Sequence, residues 1–338
     1  MITIDGAYGE GGGAVLRMAT ALSAVTSKPF KIVNIRSNRP KPGLMPQHCN
    51  AVKAVANLSN AEVYGLELGS TELCFEPGFI QAGSYKIDIK TAGSITLILQ
   101  AFMIPAAFAD GPVKITIIGG TDVRWSPSID YLQNVTLPIL KLMGYNAETR
   151  LISRGYYPKG GGILEVKILP VSELTPINII ETNFKFINGI SHAEKLPEHV
   201  AVRQAMAAEK ILKNAGYNLN MDIKSTNNSM GPGSGIFLWT DGVVPVSGSS
   251  IGERGKKAEE VGAEAANEIL YHIFRRAAMD RYMGDQIIPY LAIAGNSTVK
   301  IAELTQHTLT NIWVTNSFIN RKINVHGKLG QSAIVTVE

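Results

Sequence analysis

The loop Asp5–Gly13 contains the first residues whose types and spacing suggest chemistry. It reads Asp-Gly-Ala-Tyr-Gly-Glu-Gly-Gly-Gly and lies between a predicted strand and a predicted helix. Consecutive glycines let backbone N–H groups approach an anion closely, and the N-terminus of a helix adds partial positive charge. The loop matches neither the P-loop pattern nor G-x-G-x-x-G, so the P-loop and Rossmann folds are not predicted.

Glu10 is an unusual residue for the middle of an anion-binding loop. A carboxylate repels bound phosphates unless a divalent cation lies between them, so its position favours Glu10 as a ligand of Mg²⁺ or Mn²⁺. The alternative is a solvated glutamate, because isolated loop carboxylates are mostly solvated.

A second loop, residues 34–48, combines basic side chains with a stiff backbone. Arg36, Arg39, Lys41 and, at its end, His48 share this segment with three prolines. An arginine that is held rigidly loses less entropy when it docks on a phosphate, and its planar group suits bidentate binding. The pattern therefore favours a phosphate site over the alternative of a basic surface loop.

His307 lies where a predicted strand ends and a predicted helix begins. The N-terminus of a helix disfavours the imidazolium ion, so this histidine would stay neutral and nucleophilic, and the same amides favour a phosphate that is being transferred. Thr308 is predicted to cap the helix. The alternative for His307 is a polar cap or a hydrogen-bonded core residue.

Other chemistries are excluded by spacing. The histidines at 192, 199, 272 and 326 show no metal-ligand spacing with Cys, His or carboxylate residues, so no zinc site is predicted, and no G-x-S-x-G motif occurs. The two cysteines, Cys49 and Cys74, form no regular framework. Because the chain also lacks a signal-peptide pattern and a segment long enough to span a bilayer, we expect a cytoplasmic protein.

The composition is that of a folded protein, with 45% apolar and 18% charged residues in 338. A chain of this length suggests two domains, or one domain with an insertion. A net charge of +4 is too small to indicate a nucleic-acid partner, but residues 1–60 contain seven Lys or Arg against two acidic residues. That region suits a polyanionic ligand; a solvated basic face is the alternative.

Hydrophobic periodicity predicts a repeated β-α-β-α-β-β order of elements. The first unit comprises strand Ile2–Asp5, helix Ala14–Thr26, strand Phe30–Arg36, helix Pro46–Leu58 and strands near Val63 and Leu73. The second comprises strand Tyr85–Lys90, helix Ile95–Phe108, strand Val113–Ile118, helix Ser128–Met143 and strands Ala147–Ile152 and Ile163–Ile168. The G-x-Y-x-x-G-G-G pattern of the first loop recurs at Gly155–Gly162.

The last third predicts another such unit with a segment inserted after its first strand, near Ile177–Ile180. Its other elements are helix Gln286–Ala294, strand Val299–Leu304, helix Thr308–Asn320 and strands Lys322–Val325 and Ser332–Val337. Residues 184–277 are predicted to form a small α/β domain of helix Pro197–Ala215, strands Asn218–Ser225, Gly235–Thr240 and Val243–Ser249, and helix Ala258–Arg276. The large domain is then residues 1–183 plus 278–338.

Several motifs in order along the whole chain resemble the RNA 3′-terminal phosphate cyclase family. They are Asp5–Gly13, Arg39–Leu44, Thr91–Ser94, Gly119–Thr121, Gly160–Gly162, Gly252–Lys256, Tyr282–Gln286 and His307–Asn311. The resemblance implies an α/β (α+β) fold of three β-α-β-α-β-β units, like the C-terminal domain of translation initiation factor three, with an inserted thioredoxin-like domain. One departure is Asp122–Ser126, where many relatives have a smaller, less charged sequence.

The resemblance also implies a reaction. ATP and an RNA 3′-phosphate would give a 2′,3′-cyclic phosphodiester, AMP and pyrophosphate through a histidyl-AMP and an adenylylated RNA end. His307 matches the nucleophile, Glu10 a metal and triphosphate contact, and Gln100 an ATP contact. The segment Tyr282, Met283, Gly284, Asp285 and Gln286 matches the adenosine pocket, with Tyr282 stacked on the base. Arg17, Arg36, Arg39, Gln47 and His48 match positions around the phosphates and the RNA end.

Two rival interpretations remain open. Cyclase-like proteins of ribosome assembly keep this fold without catalysis and lack the histidine, so His307 with Thr310 and Asn311 favours the enzyme. An enolpyruvyl-transferase-type enzyme uses a related repeat and predicts phosphoenolpyruvate binding without an ATP-derived adduct. The expected partners are ATP and RNA, with no membrane and no obligate protein partner.

Overall fold

The computed structural model describes all 338 residues. It contains four sheets of four strands each, with parallel and antiparallel pairs in every sheet, and helices pack between and against them. The predicted mixed α/β class is therefore confirmed. No helix has both the length and the apolar character that crossing a membrane requires.

The first sheet has the strand order β1-β2-β4-β3, with β1 and β2 parallel and the other pairs antiparallel. Its elements are β1 (Ile2–Asp5), α1 (Gly13–Thr26), β2 (Phe30–Val33), α2 (Pro46–Ser59), β3 (Glu62–Tyr64) and β4 (Leu73–Glu76). The strand predicted to reach Arg36 ends at Val33 because Asn34 and Arg36 both have a φ of 55°, which an extended strand does not allow. The chain turns there into the basic loop.

The second sheet repeats this order as β5-β6-β8-β7, again with only its first pair parallel. Its elements are β5 (Gly83–Asp88), α3 (Ile95–Ala106), β6 (Val113–Gly119), α4 (Ile129–Tyr131), a π-helical segment (Leu132–Thr136), α5 (Leu137–Leu142), β7 (Ala147–Ser153) and β8 (Gly162–Ile168). The single helix predicted over Ser128–Met143 is thus interrupted. Pro138, which has no N–H to donate, lies just after the π segment.

After the short strand β9 (Asn178–Ile179) come the elements of the fourth sheet. They are β10 (Ile187–Glu194), α6 (His199–Asn214), β11 (Leu219–Thr226), β12 (Gly233–Thr240), β13 (Ser247–Ile251) and α7 (Ala258–Phe274), and the sheet order is β11-β10-β12-β13. The central strand β10 is not predicted by the sequence, because buried Ser191, His192 and Glu194 break its apolar alternation. The last strand begins later than predicted, beyond Pro245, which cannot donate to a ladder.

The remaining elements complete the third sheet, with the order β9-β14-β16-β15. They are α8 (Arg281–Gln286), α9 (Ile288–Ala294), β14 (Ser297–Ile301), α10 (Gln306–Phe318), β15 (Ile323–His326) and β16 (Ala333–Val337). Helix α8 is not predicted; it begins because the side chain of Asp280 accepts hydrogen bonds from the backbone N–H groups of Tyr282 and Met283. Three of the four sheets therefore share one strand order.

The buried apolar side chains show how these elements are joined. The largest cluster links the second and third sheets, with Phe102 and Leu291 among its members. A second cluster lies under the first sheet around Phe30 and continues into α10 through Val314 and Phe318. Helix α1 packs against α2, α3 and α10. Helix α1 of the first unit is therefore in contact with a helix of the second unit and a helix of the third.

Candidate active site

The glycine loop Asp5–Gly13 is held against the start of α10. Gly9 has a φ of +62°, and a Cβ at that position would lie 2.3 Å from Oγ1 of Thr310. Only glycine permits both the backbone conformation and this contact. At the other end of the loop, the helix cap Gly12 offers no side chain to the first amides of α1. Those amides remain available to an anion.

Glu10 and His307 meet across this contact. Nε2 of His307 lies 3.1 Å from Oε2 of Glu10, and Nη2 of Arg39 lies 3.5 Å from the same oxygen. The side chains are 45%, 36% and 40% exposed, respectively, so a ligand can reach all three from solvent. Two segments that are 297 positions apart in the sequence thus present an acid, a base and a cation at one point.

Asp285 supports the segment that carries His307. Helix α10 begins at Gln306 with Thr305 as its cap, so the prediction that Thr308 caps the helix is wrong by one turn. Oγ1 of Thr308 donates to Oδ1 of Asp285 over 2.6 Å, and Thr305 donates to the same oxygen. Burial raises the pKa of Asp285 to about 6, while the two hydroxyl donors and nearby His307 limit the rise.

Arg17 and the neutral ring of His48 form a partly buried wall of N–H donors beside the start of α1. A Cβ on Gly13 would lie 2.2 Å from Nε2 of His48 and 3.2 Å from Nη1 of Arg17, so the backbone of Gly13 is close to both. Burial, Arg17 and Arg36 lower the pKa of His48 to about 3, so its ring is neutral. Its Nδ1 accepts the N–H of Met45 over 3.1 Å, which leaves Nε2–H as a donor. Burial lowers the pKa of Arg17 to about 10.

Two other residues that the resemblance places at the phosphates have different surroundings. Nη1 of Arg36 donates to the carbonyl oxygens of Lys41 and Gly43, over 2.6 and 3.0 Å, and so braces the basic loop from within. Gln47 lies against the 91–94 loop, because a Cβ built on Gly93 would be 3.7 Å from the Cβ of Gln47. Neither side chain touches Glu10 or His307.

A cleft beside this cluster runs between α1, α3 and the helices of the third unit. It contains about 610 Å³ of atom-free space when its open mouth is counted. Arg17, Gln100 and Gln286 line it, and Nη2 of Arg17 lies 3.5 Å from Oε1 of Gln100. The other lining residues had no role predicted for them, among them Thr96, Pro127, Tyr290 and Asn311. Asn311 belongs to the His307–Asn311 motif, and that motif was the signal that could have found it.

Most of the Tyr282–Gln286 segment lies behind the residues that line the cleft. Met283 is buried in the core, and a Cβ on Gly284 would meet Ile301 at 3.1 Å. The ring of Tyr282 does not line the cleft; its hydroxyl donates to Glu268 over 2.7 Å and Arg281 lies 4.7 Å from its centre. In this segment Gln286 alone lines the cleft, and Asp285 supports the start of α10.

The structure also brings together a polar cluster that spacing in the sequence does not reveal. Ligand-type atoms of Asp122, Asp130 and His192 lie within 4.8 Å of one another, and all three side chains are buried. Arg154 occupies the position a cation would need: it donates to both oxygens of Asp130 over 2.8 Å and to Asp122 over 3.0 Å. Although burial alone would raise the pKa of Asp122, Arg154 and His192 hold it below its usual range. We therefore assign this cluster to the junction between the fourth sheet and the second.

A glycine loop, cationic side chains and an exposed histidine beside a cleft, on a mixed α/β scaffold, are features of enzymes that transfer phosphate-containing groups. The comparisons make the class specific. The sequence profile of the family described as RNA 3′-terminal phosphate cyclase matches residues 8–325. The chain belongs to this family.

Three relatives carry the same name, RNA 3′-terminal phosphate cyclase. The protein of Methanothermobacter thermautotrophicus is 49% identical over 337 residues, covering 100% of both chains. That of Pyrococcus furiosus is 48% identical over 339 residues, which is 100% of this chain and 98% of the relative. That of Thermococcus onnurineus is 48% identical over 340 residues, covering 100% and 99%.

Proposed function

We propose that this protein converts an RNA 3′-terminal phosphate into a 2′,3′-cyclic phosphodiester at the expense of ATP. The observation that carries the proposal is the position of His307, exposed at the first turn of α10 and 3.1 Å from Glu10 of the glycine loop. Relatives that match this protein over its full length are named for this activity. The free cysteines, Cys49 and Cys74, suit a cytoplasmic setting.

The reaction has three transfers. An imidazole nitrogen of His307 attacks the α-phosphorus of ATP, so a P–N bond forms and pyrophosphate leaves. An oxygen of the RNA 3′-phosphate then attacks the same phosphorus, which breaks the P–N bond and gives an adenylylated RNA end. Finally the neighbouring 2′-hydroxyl attacks the RNA phosphorus and loses its proton, and AMP leaves. The covalent relay turns a poor leaving group into a good one, and the 2′-hydroxyl attacks at high effective molarity.

The contact between Glu10 and Nε2 of His307 bears on the first step. While the carboxylate holds this nitrogen, its lone pair is not free to attack, so we infer that the contact breaks when ATP binds. A Mg²⁺ or Mn²⁺ ion fits at Glu10, because Mg²⁺ usually takes one or two carboxylates together with substrate phosphates. Such an ion would neutralise charge on the triphosphate. Asp285 positions the start of α10, and therefore His307, through Thr305 and Thr308.

We assign the cleft to the nucleoside, and the wall of N–H donors formed by Arg17 and His48 to phosphates. Gln100 and Gln286 would meet the adenosine, while Tyr282, Met283 and Gly284 would shape the pocket from behind. Arg17, Arg39 and His48 donate toward the phosphates and the RNA end. Arg36 and Gln47 would act there indirectly, by holding the basic loop and the 91–94 loop in place.

We also propose how the fold is divided into repeated units and domains. The shared strand order of the first three sheets supports three units like the C-terminal domain of initiation factor three. Residues 1–183 with 278–338 would then form the catalytic domain, and residues 184–277 an inserted thioredoxin-like domain. The second candidate function, a non-catalytic cyclase-like protein, is disfavoured because the nucleophile position is filled and exposed.

The test is covalent labelling. The protein is incubated with a divalent cation and ATP labelled at the α-phosphate, and we expect an acid-labile adduct that His307→Ala abolishes. His326→Ala, an exposed histidine on β15, is the matched control and should label like wild type. No adduct with wild type, or equal labelling of His307→Ala, would refute the proposal. Phosphoenolpyruvate binding without any adduct would favour the enolpyruvyl-transferase alternative.

A further inference from the structure

Two aromatic rings are stacked at the edge of the candidate active site. The rings of Tyr8 and Trp313 lie nearly parallel, with centres 4.0 Å apart and an interplanar angle of 13°. Trp313 is partly buried against the core below the first sheet, whereas Tyr8 is 40% exposed. The pair is therefore anchored on one side and reaches solvent through Tyr8.

Both rings belong to elements that carry the site. Tyr8 lies two residues before Glu10 in the glycine loop. Trp313 lies six residues after His307 on α10, which corresponds to about 9 Å along the helix axis. The exposed ring is thus near the nucleophile but outside the cleft that we assign to the nucleoside, and Tyr8 and Trp313 do not line that cleft.

The conformation of the glycine loop does not depend on this stack alone. The N–H of Tyr8 donates to the carbonyl of Asp5, and Gly11 donates to that of Tyr8. Asn38 of the basic loop donates to the carbonyl of Ala7 over 3.2 Å. These bonds fix the loop through its backbone. An exposed ring on a loop that is already held in place has a surface free for a ligand.

The charges nearby identify the class of ligand. Asn38 donates a hydrogen bond to the carbonyl of Ala7, the residue before Tyr8. The next residue in the sequence is Arg39, and exposed Lys41 follows shortly after it. Aromatic rings beside cationic side chains are the arrangement with which proteins bind single-stranded nucleic acid, since bases stack on the rings and phosphates lie on the cations. The RNA of the proposed reaction must also leave the site past these loops.

We propose that the Tyr8–Trp313 stack is a platform for a base at or next to the 3′ end of the RNA. The inference deepens the proposed function and rests on it. The base stacks on the face of the Tyr8 ring that points away from Trp313, and the terminal phosphate lies near Arg39 and His307. The site therefore takes an RNA whose last nucleotides are single-stranded, because a paired base cannot leave its helix without a cost.

The experiment compares Tyr8→Leu, which keeps an apolar contact with Trp313 but removes the ring, with Tyr8→Phe, which keeps the ring. The substrates are a single-stranded 3′-phosphorylated oligonucleotide and versions with an abasic residue at each of the last positions. Tyr8→Leu should raise the KM for the intact RNA roughly 5- to 100-fold, the range for loss of one stacked base. Tyr8→Phe should match wild type, as should Tyr64→Leu, an exposed tyrosine on β3.

Abasic RNA separates stacking from loop integrity. Removing the stacked base should raise the KM of wild type by a similar factor, and Tyr8→Leu should then add little. The loss in the RNA step should also exceed any loss in RNA-free histidyl-AMP formation roughly 5-fold or more. Equal losses in both steps, or a full additional loss with every abasic RNA, would overturn the platform. Failure of the proposed function is distinguishable, because wild type would then form no adduct at all.

Discussion

The two glycine loops of this protein share a sequence pattern but have opposite environments. Asp5–Gly13 leads into helix α1, and its glycines leave amides and the Glu10 side chain open to solvent. Gly155–Gly162 leads into strand β8, and its glycines touch backbone: a Cβ on Gly155 would lie 2.3 Å from the carbonyl of Gly119. At Gly12 and Gly13 of the first loop the nearest atoms belong to the side chains of Arg39, His48 and Arg17, so glycine there leaves room for a ligand, whereas glycine in the second loop allows close chain packing.

The charged side chains follow the same division. Glu10 and Arg39 beside the first loop are more than a third exposed, whereas Arg154, directly before the second loop, and Tyr156 within it are buried. Tyr156 donates to or accepts from Nδ1 of buried His192 over 2.8 Å. In this protein the loop that leads into a helix forms the candidate ligand site, whereas the loop that leads into a strand packs closely against the chain.

The largest stability effect is expected at the second loop. Arg154→Met leaves two buried carboxylates, Asp122 and Asp130, without their partner, and should lower the free energy of unfolding by about 3–5 kcal/mol. Urea unfolding measures this. The control is Arg150→Met on β7, whose pair with Glu165 is exposed and should contribute about 1 kcal/mol or less. Equal effects of the two changes would contradict the structural role of the second loop.

At the first loop the effect should appear in catalysis instead. Glu10→Gln removes the charge next to His307 and the proposed cation site, so histidyl-AMP formation should slow by roughly 10²- to 10³-fold. The free energy of unfolding should change by about 0.5 kcal/mol or less, because the side chain is exposed. Glu72→Gln, in an exposed pair with Lys31, should change neither quantity. A large loss of stability without loss of rate would reverse the assignment.

Removal of a single hydroxyl gives a finer comparison. Tyr156→Phe leaves Nδ1 of buried His192 without its partner and should cost about 1–3 kcal/mol of unfolding free energy. Tyr8→Phe, whose ring is exposed, should cost about 0.5 kcal/mol or less. Thermal or urea unfolding of the two variants side by side decides between them. The comparison fails if the two hydroxyls contribute equally.

The last comparison concerns the pH dependence of stability at His48, beside the first loop. Its pKa falls from 6.5 to about 3 on folding. Between these two pH values the ring is protonated in the unfolded chain and neutral in the folded protein. This contribution to stability is complete above pH 6.5 and is lost as the pH falls toward 3. Between pH 7 and pH 5, the free energy of unfolding of His48→Gln should fall by roughly 2 kcal/mol less than that of wild type. Exposed His326→Gln should show the wild-type pH dependence, and an unchanged slope in His48→Gln would contradict the assignment.

Much of the fold follows from local pattern, and the exceptions have physical causes. The helices around Val15 and Leu99 are read from their apolar faces, but strand β10 is missed because its buried residues are polar and are satisfied only by partners from other segments, such as Tyr156 for His192. The end of β2 depends on two left-handed residues, Asn34 and Arg36, which no periodicity shows.

The candidate site is predictable to a similar degree. Glu10 and His307 stand out because their types are unusual for their positions, and the structure places them 3.1 Å apart. Sequence cannot reveal where a long side chain ends, so it does not show that Nη1 of Arg36 donates to the carbonyl oxygens of Lys41 and Gly43 in its own loop. Pro127 lines the cleft because Oγ1 of Thr96 donates to its carbonyl over 2.6 Å, a long-range contact that spacing does not encode.

The short strand β9 has a consequence for how the chain folds. Its residue Asn178 pairs with Thr298 of β14, and the whole fourth sheet lies between these partners in the sequence. An unstructured stretch of that length makes ring closure entropically expensive and slow. If residues 187–274 collapse first, the ends of the stretch are brought together and the effective ring becomes short. During synthesis, residues 187–274 would leave the ribosome before β14, β15 and β16 are made. The third sheet would therefore assemble late, after the folded inserted segment has brought β9 close to the position of β14.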